Sequence, residues 1–232
     1  SSTDAARARS PLAHALFRPA RIALIGASDE PSRLTSRPQR LLRRHGYTGA
    51  IVPIHPLRAE VGGARAYRSI AGVPDSIDHA FIMLPASAVP RAIEECCAAG
   101  VTVATIMSAG FAEAGSAGAR REAAIVAAAR SAGMRILGPN SLGLVNVTDG
   151  MVLSANAVLE HESLRPGGLS LVSQSGSMVG AVLTRAQERG LGFAKLISVG
   201  NECDLALGEL VHLLVDDPAT QAILLFVETF RD

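Results

Sequence analysis

Short apolar runs alternate with helical patterns along this chain, and the alternation limits its fold more than any other feature. In the first 142 residues, helical spacing at 37–44, 88–99 and 117–132 separates apolar runs that predict strands at 21–25, 50–54, 79–83, 101–107 and 135–137. Strands and helices that alternate in this way form right-handed βαβ units around a parallel sheet. We therefore expect an α/β domain over residues 14–142, preceded by a loose polar terminus over residues 1–13.

A second α/β unit is predicted after residues 143–168, a less regular stretch that we interpret as a linker. Its predicted elements are strands at 169–172, 193–199 and 222–227 and helices at 178–190 and 205–216. A parallel sheet needs cover on both faces, and three strands with no following helix leave an exposed edge. We expect this domain, residues 169–232, to be incomplete and to be completed by a partner or by a longer protein.

Composition favours a cytoplasmic protein. The 232 residues are 48% apolar but 3% aromatic, which is typical of parallel sheets covered by helices. No apolar run reaches membrane-spanning length, and the first residues lack the apolar core of a signal peptide. Cys96, Cys97 and Cys203 show neither CxxC nor zinc-ligand spacing, which indicates a reducing compartment and predicts no metal site.

The charge of the chain is unevenly distributed. Residues 1–70 contain 12 Arg and 4 acidic residues, a net charge of +8, whereas residues 71–232 contain 10 basic and 17 acidic residues, a net charge of −7. A basic first third favours an anionic ligand. Because aromatic stacking platforms are absent, a multiply phosphorylated small molecule is favoured over nucleic acid. An Arg-rich composition explains part of the excess, since Lys195 is the only Lys.

The first βα turn, Gly26-Ala27-Ser28, argues against NAD as that ligand. The full GxGxxG pattern is missing, and so is the acidic residue expected after the second strand for the ribose hydroxyls. His55 and Pro56 stand there instead, with Arg58 close behind, and this strand end suits a phosphate. Ser28, Arg33 and Arg37 are then candidates to meet a diphosphate, the alternative being an unliganded domain with surface arginines.

A second candidate anion site lies in the stretch 169–180. A buried strand, a loop with Ser173, Ser175, Gly176 and Ser177, and then a helix follow one another. Free N–H groups at a helix start attract anions, and glycine allows close approach to the backbone. The alternative is a well-capped turn that binds nothing, since Ser and Gly are ordinary capping residues.

Five segments occur in an order that is specific when they are taken together. They are FRPARIALIGAS (17–28), SAGFAE (108–113), LGPNSLG (137–143), LVSQSG (171–176) and ISVGNECD (197–204). The set resembles the CoA-binding and partial ligase region of NDP-forming acyl-CoA synthetases, the superfamily of ADP-forming acetyl-CoA synthetase and succinyl-CoA synthetase. The resemblance runs from about Phe17 to the last residue. It implies a Rossmann-like CoA-binding domain followed by a truncated flavodoxin-like parallel-sheet domain.

The resemblance also implies which residues hold CoA. The CoA phosphates would lie on the first turn, the nucleotide end at the second strand tip and the pantetheine arm along the SAG loop. In that order the residues are Gly26, Ala27 and Ser28; His55 and Arg58; and Ser108, Ala109 and Gly110. The family has Asn where this chain has His55, so the resemblance does not define the contact made there.

Catalysis in the family passes through an acyl phosphate and a phosphohistidine. The resemblance places Asn140 near the thioester and Glu228 where a carboxylate orients the phosphohistidine. A carboxylate that binds a histidine fixes its tautomer, although a strand-end surface acid is the alternative for Glu228. The start of the helix that steadies the phosphorylated histidine would be formed by Ser175, Gly176 and Ser177.

The phosphorylated histidine itself would lie beyond this chain, in a Ser-His-Thr-Gly-like segment. None of the six histidines has that context: His14, His45, His55, His79, His161 and His212. The nucleotide-grasp portion, which would bring ADP or ATP and Mg, is also missing. We therefore expect the chain to bind CoA or acyl-CoA without turnover on its own, and to work with an ATP-grasp domain or subunit, in an oligomer.

Two other functions compete with this interpretation. The same region can act as a CoA or acyl-CoA sensor in a regulatory protein, such as a lysine acetyltransferase with a synthetase-like half. The retained Glu228 and the intact Ser-Gln-Ser-Gly loop favour the enzyme, because a sensor needs no phosphohistidine machinery. A Rossmann dehydrogenase is less favoured, because the ribose acid and a convincing catalytic His or Lys are both missing.

Overall fold

The computed structural model describes residues 10–160 and 163–229 and contains two five-stranded sheets and a small hairpin. The first part of the chain forms β1 (Arg21–Ile25), β2 (Ala50–Ile54), β3 (Glu60–Val61), β4 (Ala64–Arg65), β5 (His79–Ile82), β6 (Val103–Ile106) and β7 (Arg135–Leu137). The helices of this part are α1 (Pro11–Phe17), α2 (Arg37–Arg44), α3 (Val89–Ala98) and α4 (Ser116–Ser131). β3 and β4 pair only with each other as the hairpin.

The first sheet is parallel throughout, in the order β2-β1-β5-β6-β7, which confirms the predicted α/β fold. Ile25 pairs with Ile54 on one side and with Ile82 on the other. Ile82 pairs in turn with Ile106. The strands therefore end in register, and the loops that follow them share one edge of the sheet, where ligands of such folds bind.

The second sheet is mixed rather than parallel. Its further strands are β8 (Gly143–Asn146), β9 (Met151–Ser154), β10 (Pro166–Ser173), β11 (Phe193–Ser198) and β12 (Ala222–Phe226), and its helices are α5 (Gly176–Glu188) and α6 (Leu207–Val215). The order is β12-β10-β11-β8-β9, in which β10, β11 and β12 are parallel and β8 and β9 are antiparallel.

The antiparallel strands correct the linker predicted over residues 143–168. Both β8 and β9 are fully buried, and they form a hairpin whose first strand pairs with β11. The physical reason is that β11 would otherwise leave its backbone groups unpaired inside the protein, where an unpaired N–H or C=O is costly. The hairpin supplies those partners, so the second sheet begins at Gly143 rather than at Leu169.

A helix also replaces part of the loose terminus predicted over residues 1–13. α1 begins at Pro11, a favoured first helical residue, and buries Ala15, Leu16 and Phe17. Leu16 belongs to a core cluster that also contains Leu24 of the first sheet and Ile197 of the second. The two sheets thus share one apolar core, and burial of this short apolar run gives the helix its stability.

The edge strand β12 is the least covered strand of the second sheet. Leu224 and Leu225 are 39% and 49% exposed, although they point to opposite faces. Within residues 10–160 and 163–229, no helix has the length and apolar character needed to cross a membrane. The same residues contain no group of three His, Cys, Asp or Glu side chains placed to hold a metal ion.

Candidate functional site

A cleft of about 390 Å³ opens at the carboxyl edge of the first sheet, where β1 and β2 end. It brings together two groups of residues that lie far apart in the sequence. The groups are Gly26, Ala27 and Ser28 from the first turn, and His55 and Arg58 from the second. These are the positions at which the family resemblance implies the CoA phosphates and the nucleotide end.

Gly26 is required by the geometry of this turn. Its φ angle of +84° lies in the left-handed region, which residues with a side chain rarely adopt. A Cβ atom would also lie 2.9 Å from the carbonyl oxygen of Met83. The missing side chain lets the β1 turn pass close to the backbone of Met83, which follows β5.

His55 takes over a turn-capping role at the end of β2. Its Nδ1 accepts hydrogen bonds from the backbone N–H groups of Leu57, at 3.2 Å, and Arg58, at 3.1 Å. An Asn side-chain oxygen at the head of a turn makes the same kind of contact. The imidazole can therefore replace the family's Asn as the cap of this turn, and the turn carries Arg58 to the cleft.

The two arginines of the cleft are paired with acids of the β1 turn. Arg58 forms an ion pair with Asp29, and Arg33 forms one with Glu30 at 2.7 Å. All four side chains are more than a third exposed, so each pair adds little stability and an incoming phosphate can displace the acid. The structure places Arg37 elsewhere: its guanidinium lies 3.0 Å from the Glu160 carboxylate and does not line the cleft.

The Ser108-Ala109-Gly110 loop follows β6 at the same sheet edge. The backbone N–H of Asn140 donates to the carbonyl of Ser108 at 3.0 Å, so the structure brings these two candidate site residues together. The Ser108 hydroxyl oxygen is buried and has no hydrogen-bond partner in the part of the chain that the structure describes. Gly110 has a φ angle of +102°, which lies in the left-handed region that favours glycine.

At the second candidate anion site, Ser173 does not have the role that the sequence predicts. Ser173 is buried and its hydroxyl donates to the Ser175 carbonyl at 2.7 Å, so it shapes the loop and does not face a ligand. The hydroxyls of Ser175 and Ser177 lie 3.1 Å apart at the start of α5. A Cβ on Gly176 would meet the Leu142 side chain at 2.7 Å, so this glycine is needed for packing.

Sequence reasoning missed Gln174, which joins this loop to Glu228. Its Oε1 accepts the backbone N–H groups of Glu228, at 2.7 Å, and Thr229, at 2.9 Å. Its Nε2 donates to the Thr229 carbonyl at 2.8 Å and to the Glu202 carboxylate at 3.1 Å. The only sequence signal was an amide inside a Ser-rich loop, where its partners are more than 25 residues away.

The histidines are placed as follows. His55 lines the cleft, whereas His79 is fully buried in β5 and His212 is exposed on α6. His161 lies outside the described residues. No described histidine faces Ser175, Ser177 or Glu228 through a hydrogen bond or an ion pair.

The fold and the cleft at its carboxyl edge place the chain among the nucleotide-binding α/β proteins. Comparison with known families defines it further. The CoA binding domain family matches residues 20–147, and the succinyl-CoA ligase like flavodoxin domain family matches residues 166–232. The chain therefore belongs to the CoA binding domain family and carries a succinyl-CoA ligase like flavodoxin domain after it, which confirms that its motifs resemble the CoA-binding and partial ligase region of NDP-forming acyl-CoA synthetases.

Individual relatives agree with this assignment. The chain is 37% identical to the alpha subunit of acetate–CoA ligase (ADP-forming) I of Pyrococcus furiosus, over 94% of its own length and 47% of that protein. It is 35% identical to acetate–CoA ligase (ADP-forming) I of Archaeoglobus fulgidus, over 94% of its length and 31% of that protein. The chain thus spans 47% and 31% of the length of these two relatives.

A solved structure shows the same fold. The dinucleotide forming acetyl-coenzyme A synthetase 1 of Ca. Korarchaeum cryptofilum, in complex with phosphate and ADP, superposes with a TM-score of 0.88 at 32% identity. The match covers 94% of this chain and 46% of the synthetase.

Proposed function

We propose that this chain binds CoA at the carboxyl edge of its first sheet and forms the CoA-binding part of an NDP-forming acyl-CoA synthetase. The cleft that joins Gly26, Ala27 and Ser28 to His55 and Arg58 carries the proposal. It combines open backbone at a tight glycine turn with displaceable arginines, which together suit the phosphates of a nucleotide. The pantetheine arm then runs along Ser108, Ala109 and Gly110 toward Asn140 and the second sheet.

The reaction that we assign to the complete protein or complex is an acid–thiol ligation run through phosphate. Inorganic phosphate displaces the CoA thiolate from acyl-CoA and forms an acyl phosphate. A histidine then takes the phosphoryl group and releases the free acid. ADP, held with Mg by an ATP-grasp portion, takes the phosphoryl group from the histidine and becomes ATP. The chain supplies CoA binding to this series of steps.

Glu228 and the α5 start are proposed to receive the phosphohistidine. Gln174 holds the backbone of Glu228 against the loop that carries Ser175, Gly176 and Ser177, so a carboxylate and a helix N-terminus share one region. The N-terminus favours the negative phosphoryl group, and the carboxylate can orient the imidazole. This pairing supports an enzyme over a CoA sensor.

We further propose a cytoplasmic protein that acts with a partner. The Pyrococcus relative is named an alpha subunit, which supports a second subunit or domain with the ATP-grasp function. The exposed Leu224 and Leu225 of β12 support a neighbour on that side. The free thiols of Cys96 and Cys97 agree with a reducing compartment.

Calorimetric titration of this chain with CoA, and in parallel with NAD, tests the proposal. We expect CoA to bind and NAD not to bind. Arg58→Ala should weaken CoA binding about tenfold, because a charge-assisted contact to phosphate is lost. Arg91→Ala is the matched control, since Arg91 pairs with Glu95 on α3 and does not line the cleft. Binding of NAD alone would favour the dehydrogenase. A CoA affinity that is the same in Arg58→Ala and in the unsubstituted chain would show that CoA binds outside this cleft.

A further inference from the structure

Asn201 crosses from the second sheet to the first and binds two carboxylates there. It lies after β11 and is 9% exposed. Its Nδ2 donates to the carboxylates of Glu113 and, at 3.1 Å, Glu122. Its backbone N–H donates to the carbonyl of Pro139 at 2.8 Å. One buried amide thus satisfies two acids on another domain, which few side chains can do.

Glu113, which Asn201 binds, is also hydrogen-bonded to the backbone of the loop after β6. Its Oε1 accepts the backbone N–H groups of Gly110, at 2.5 Å, and Phe111, at 3.1 Å. Burial opposes ionisation of Glu113, but the hydrogen bonds from Asn201, Gly110 and Phe111 outweigh burial and lower its pKa. Glu113 is therefore an anion that fixes the backbone of the Ser108-Ala109-Gly110 loop.

Glu122 supports the same loop from α4. Its carboxylate is buried and accepts the backbone N–H of Ala112 at 3.2 Å. The preceding residue, Arg121, donates to the carbonyl of Gly110 at 2.6 Å. The loop is held on both sides, and Asn201 is the residue after β11 that donates to both Glu113 and Glu122.

Glu202, the residue after Asn201, contacts the loop that follows β10. Glu202 accepts a hydrogen bond from Gln174 at 3.1 Å and one from the backbone N–H of Leu207 at 2.9 Å. Its φ angle of +55° is unusual for a residue with a side chain, and it turns the Glu202 side chain away from that of Asn201. Asn201 therefore supports the loop after β6 through Glu113, and Glu202 contacts the loop after β10 through Gln174.

We propose that Asn201 is a positioning residue for the pantetheine arm of CoA. It holds Glu113, and Glu113 fixes the backbone of the loop along which the arm runs. The inference rests on the proposed function, which runs that arm along Ser108, Ala109 and Gly110. Without the amide donor, the two carboxylates face each other and the loop backbone loses its fixed acceptor. The nucleotide end of CoA, in the cleft at Gly26 and Arg58, is not touched by Asn201.

The test compares Asn201→Asp with the unsubstituted chain by calorimetry. Aspartate keeps the shape of Asn but places a third carboxylate beside Glu113 and Glu122, and like charges repel. The probes are CoA and adenosine 3′,5′-bisphosphate, which carries the nucleotide end without the arm. We expect CoA affinity to fall about tenfold while the affinity for the bisphosphate is unchanged. Glu113→Gln combined with Asn201→Asp should recover part of the loss, because one repulsion is removed.

Equal loss of both probes, or no loss of CoA affinity, would overturn the inference. If Asn201→Asp does not fold, Asn201→Ser retains a short donor and should show a smaller loss that is again confined to CoA. If the unsubstituted chain binds no CoA, the proposed function fails. The contact itself is then tested by amide exchange at Gly110 and Phe111, which should be about tenfold faster in the variant. Unchanged exchange there would also contradict the inference.

Discussion

The side-chain amide of Gln174 lies between the loop that follows β10 and the backbone of Glu228, with 2.7 Å from its Oε1 to the Glu228 nitrogen. Both ends of the amide are hydrogen-bonded: the oxygen accepts two N–H groups, and the nitrogen donates to Glu202 and to the Thr229 carbonyl. The position of Glu228 therefore depends on a residue more than 50 positions earlier in the sequence.

Gln174→Ala should release Glu228 without disturbing the CoA cleft. Two backbone N–H groups lose their acceptor, so amide exchange at Glu228 and Thr229 should quicken about tenfold, as measured by NMR. CoA affinity should not change, since Gln174 does not line the cleft. Gln221→Ala, an exposed glutamine in the loop before β12, is the control and should leave both quantities as they are.

Gln174→Glu separates the two halves of the amide. The oxygen that accepts from Glu228 is retained, but the group that donates to Glu202 becomes a second carboxylate. Repulsion between the two acids should then move Glu228 as much as the alanine does. Exchange rates equal to those of the unsubstituted chain would show that the Glu202 contact is unimportant.

His55→Asn should preserve CoA binding, whereas His55→Ala should weaken it. The Asn side-chain oxygen can accept the N–H groups of Leu57 and Arg58 as the imidazole Nδ1 does. Alanine cannot, and the turn that carries Arg58 loses its cap, which should cost about 1 kcal/mol of the binding free energy, or fivefold in Kd. Calorimetry with CoA measures both; equal weakening by Asn and Ala would show that the imidazole itself contacts the ligand.

Local patterns sufficed for the elements whose signal is local. β1, β2 and β7 have the bounds that their apolar runs predict, because each run is flanked by polar or turn residues. The β8–β9 hairpin was interpreted as a linker although Asp149-Gly150 marks a turn between two apolar runs. Its strands are short, and their role becomes visible only when β11 needs an antiparallel partner.

The sequence predicts the site residues that follow strands, but it does not predict the amide side chains that hold the loops in place. Gly26, His55 and Arg58 follow predicted strands, and the edge they share follows from a parallel sheet. Gln174 and Asn201 make their decisive contacts with residues 28 to 88 positions away. Nothing in local spacing distinguishes such an amide from an ordinary loop residue, since its partners are chosen by tertiary packing.

Asp204 should be a strong stabiliser of the junction between the domains. Its side chain is fully buried, accepts from Arg130 at 2.8 Å and Arg135 at 2.9 Å, and also accepts the backbone N–H of Ile136 at 2.8 Å. Burial opposes its ionisation, but these donors prevail and lower its pKa. Asp204→Ala leaves the Ile136 N–H buried without an acceptor and should cost about 3 kcal/mol of unfolding free energy in urea.

Two comparison variants define the origin of that loss. Asp204→Asn keeps the shape and one acceptor, so we expect it to lose less than Asp204→Ala. Asp75→Ala removes an exposed acid that lies 3.3 Å from Arg21, and it should change the unfolding free energy by less than about 1 kcal/mol. Equal effects of Asp204→Ala and Asp75→Ala would contradict a special role for the buried pair.

Stability should fall with acid before the buried carboxylates are protonated, because of His79. This histidine is fully buried; its Nδ1 donates to the Ala15 carbonyl at 2.9 Å and its Nε2 lies 2.7 Å from the Thr105 hydroxyl, which can donate to it when the imidazole is neutral. Burial lowers its pKa to about 4, whereas the ordinary value is 6.5. The unfolded chain therefore binds the proton more readily than the folded chain.

The sign of the pH dependence follows from that difference. The contribution of neutral His79 is complete above pH 6.5 and is lost as the pH falls from 6.5 toward about 4. Between pH 7 and pH 5 the loss should be about 2 kcal/mol of unfolding free energy, measured by urea titration at each pH. His79→Asn should be less stable at pH 7 but should lose this part of the slope, whereas His212→Asn, at an exposed position, should keep it. A slope between pH 7 and pH 5 that is the same with and without His79 would contradict the assignment.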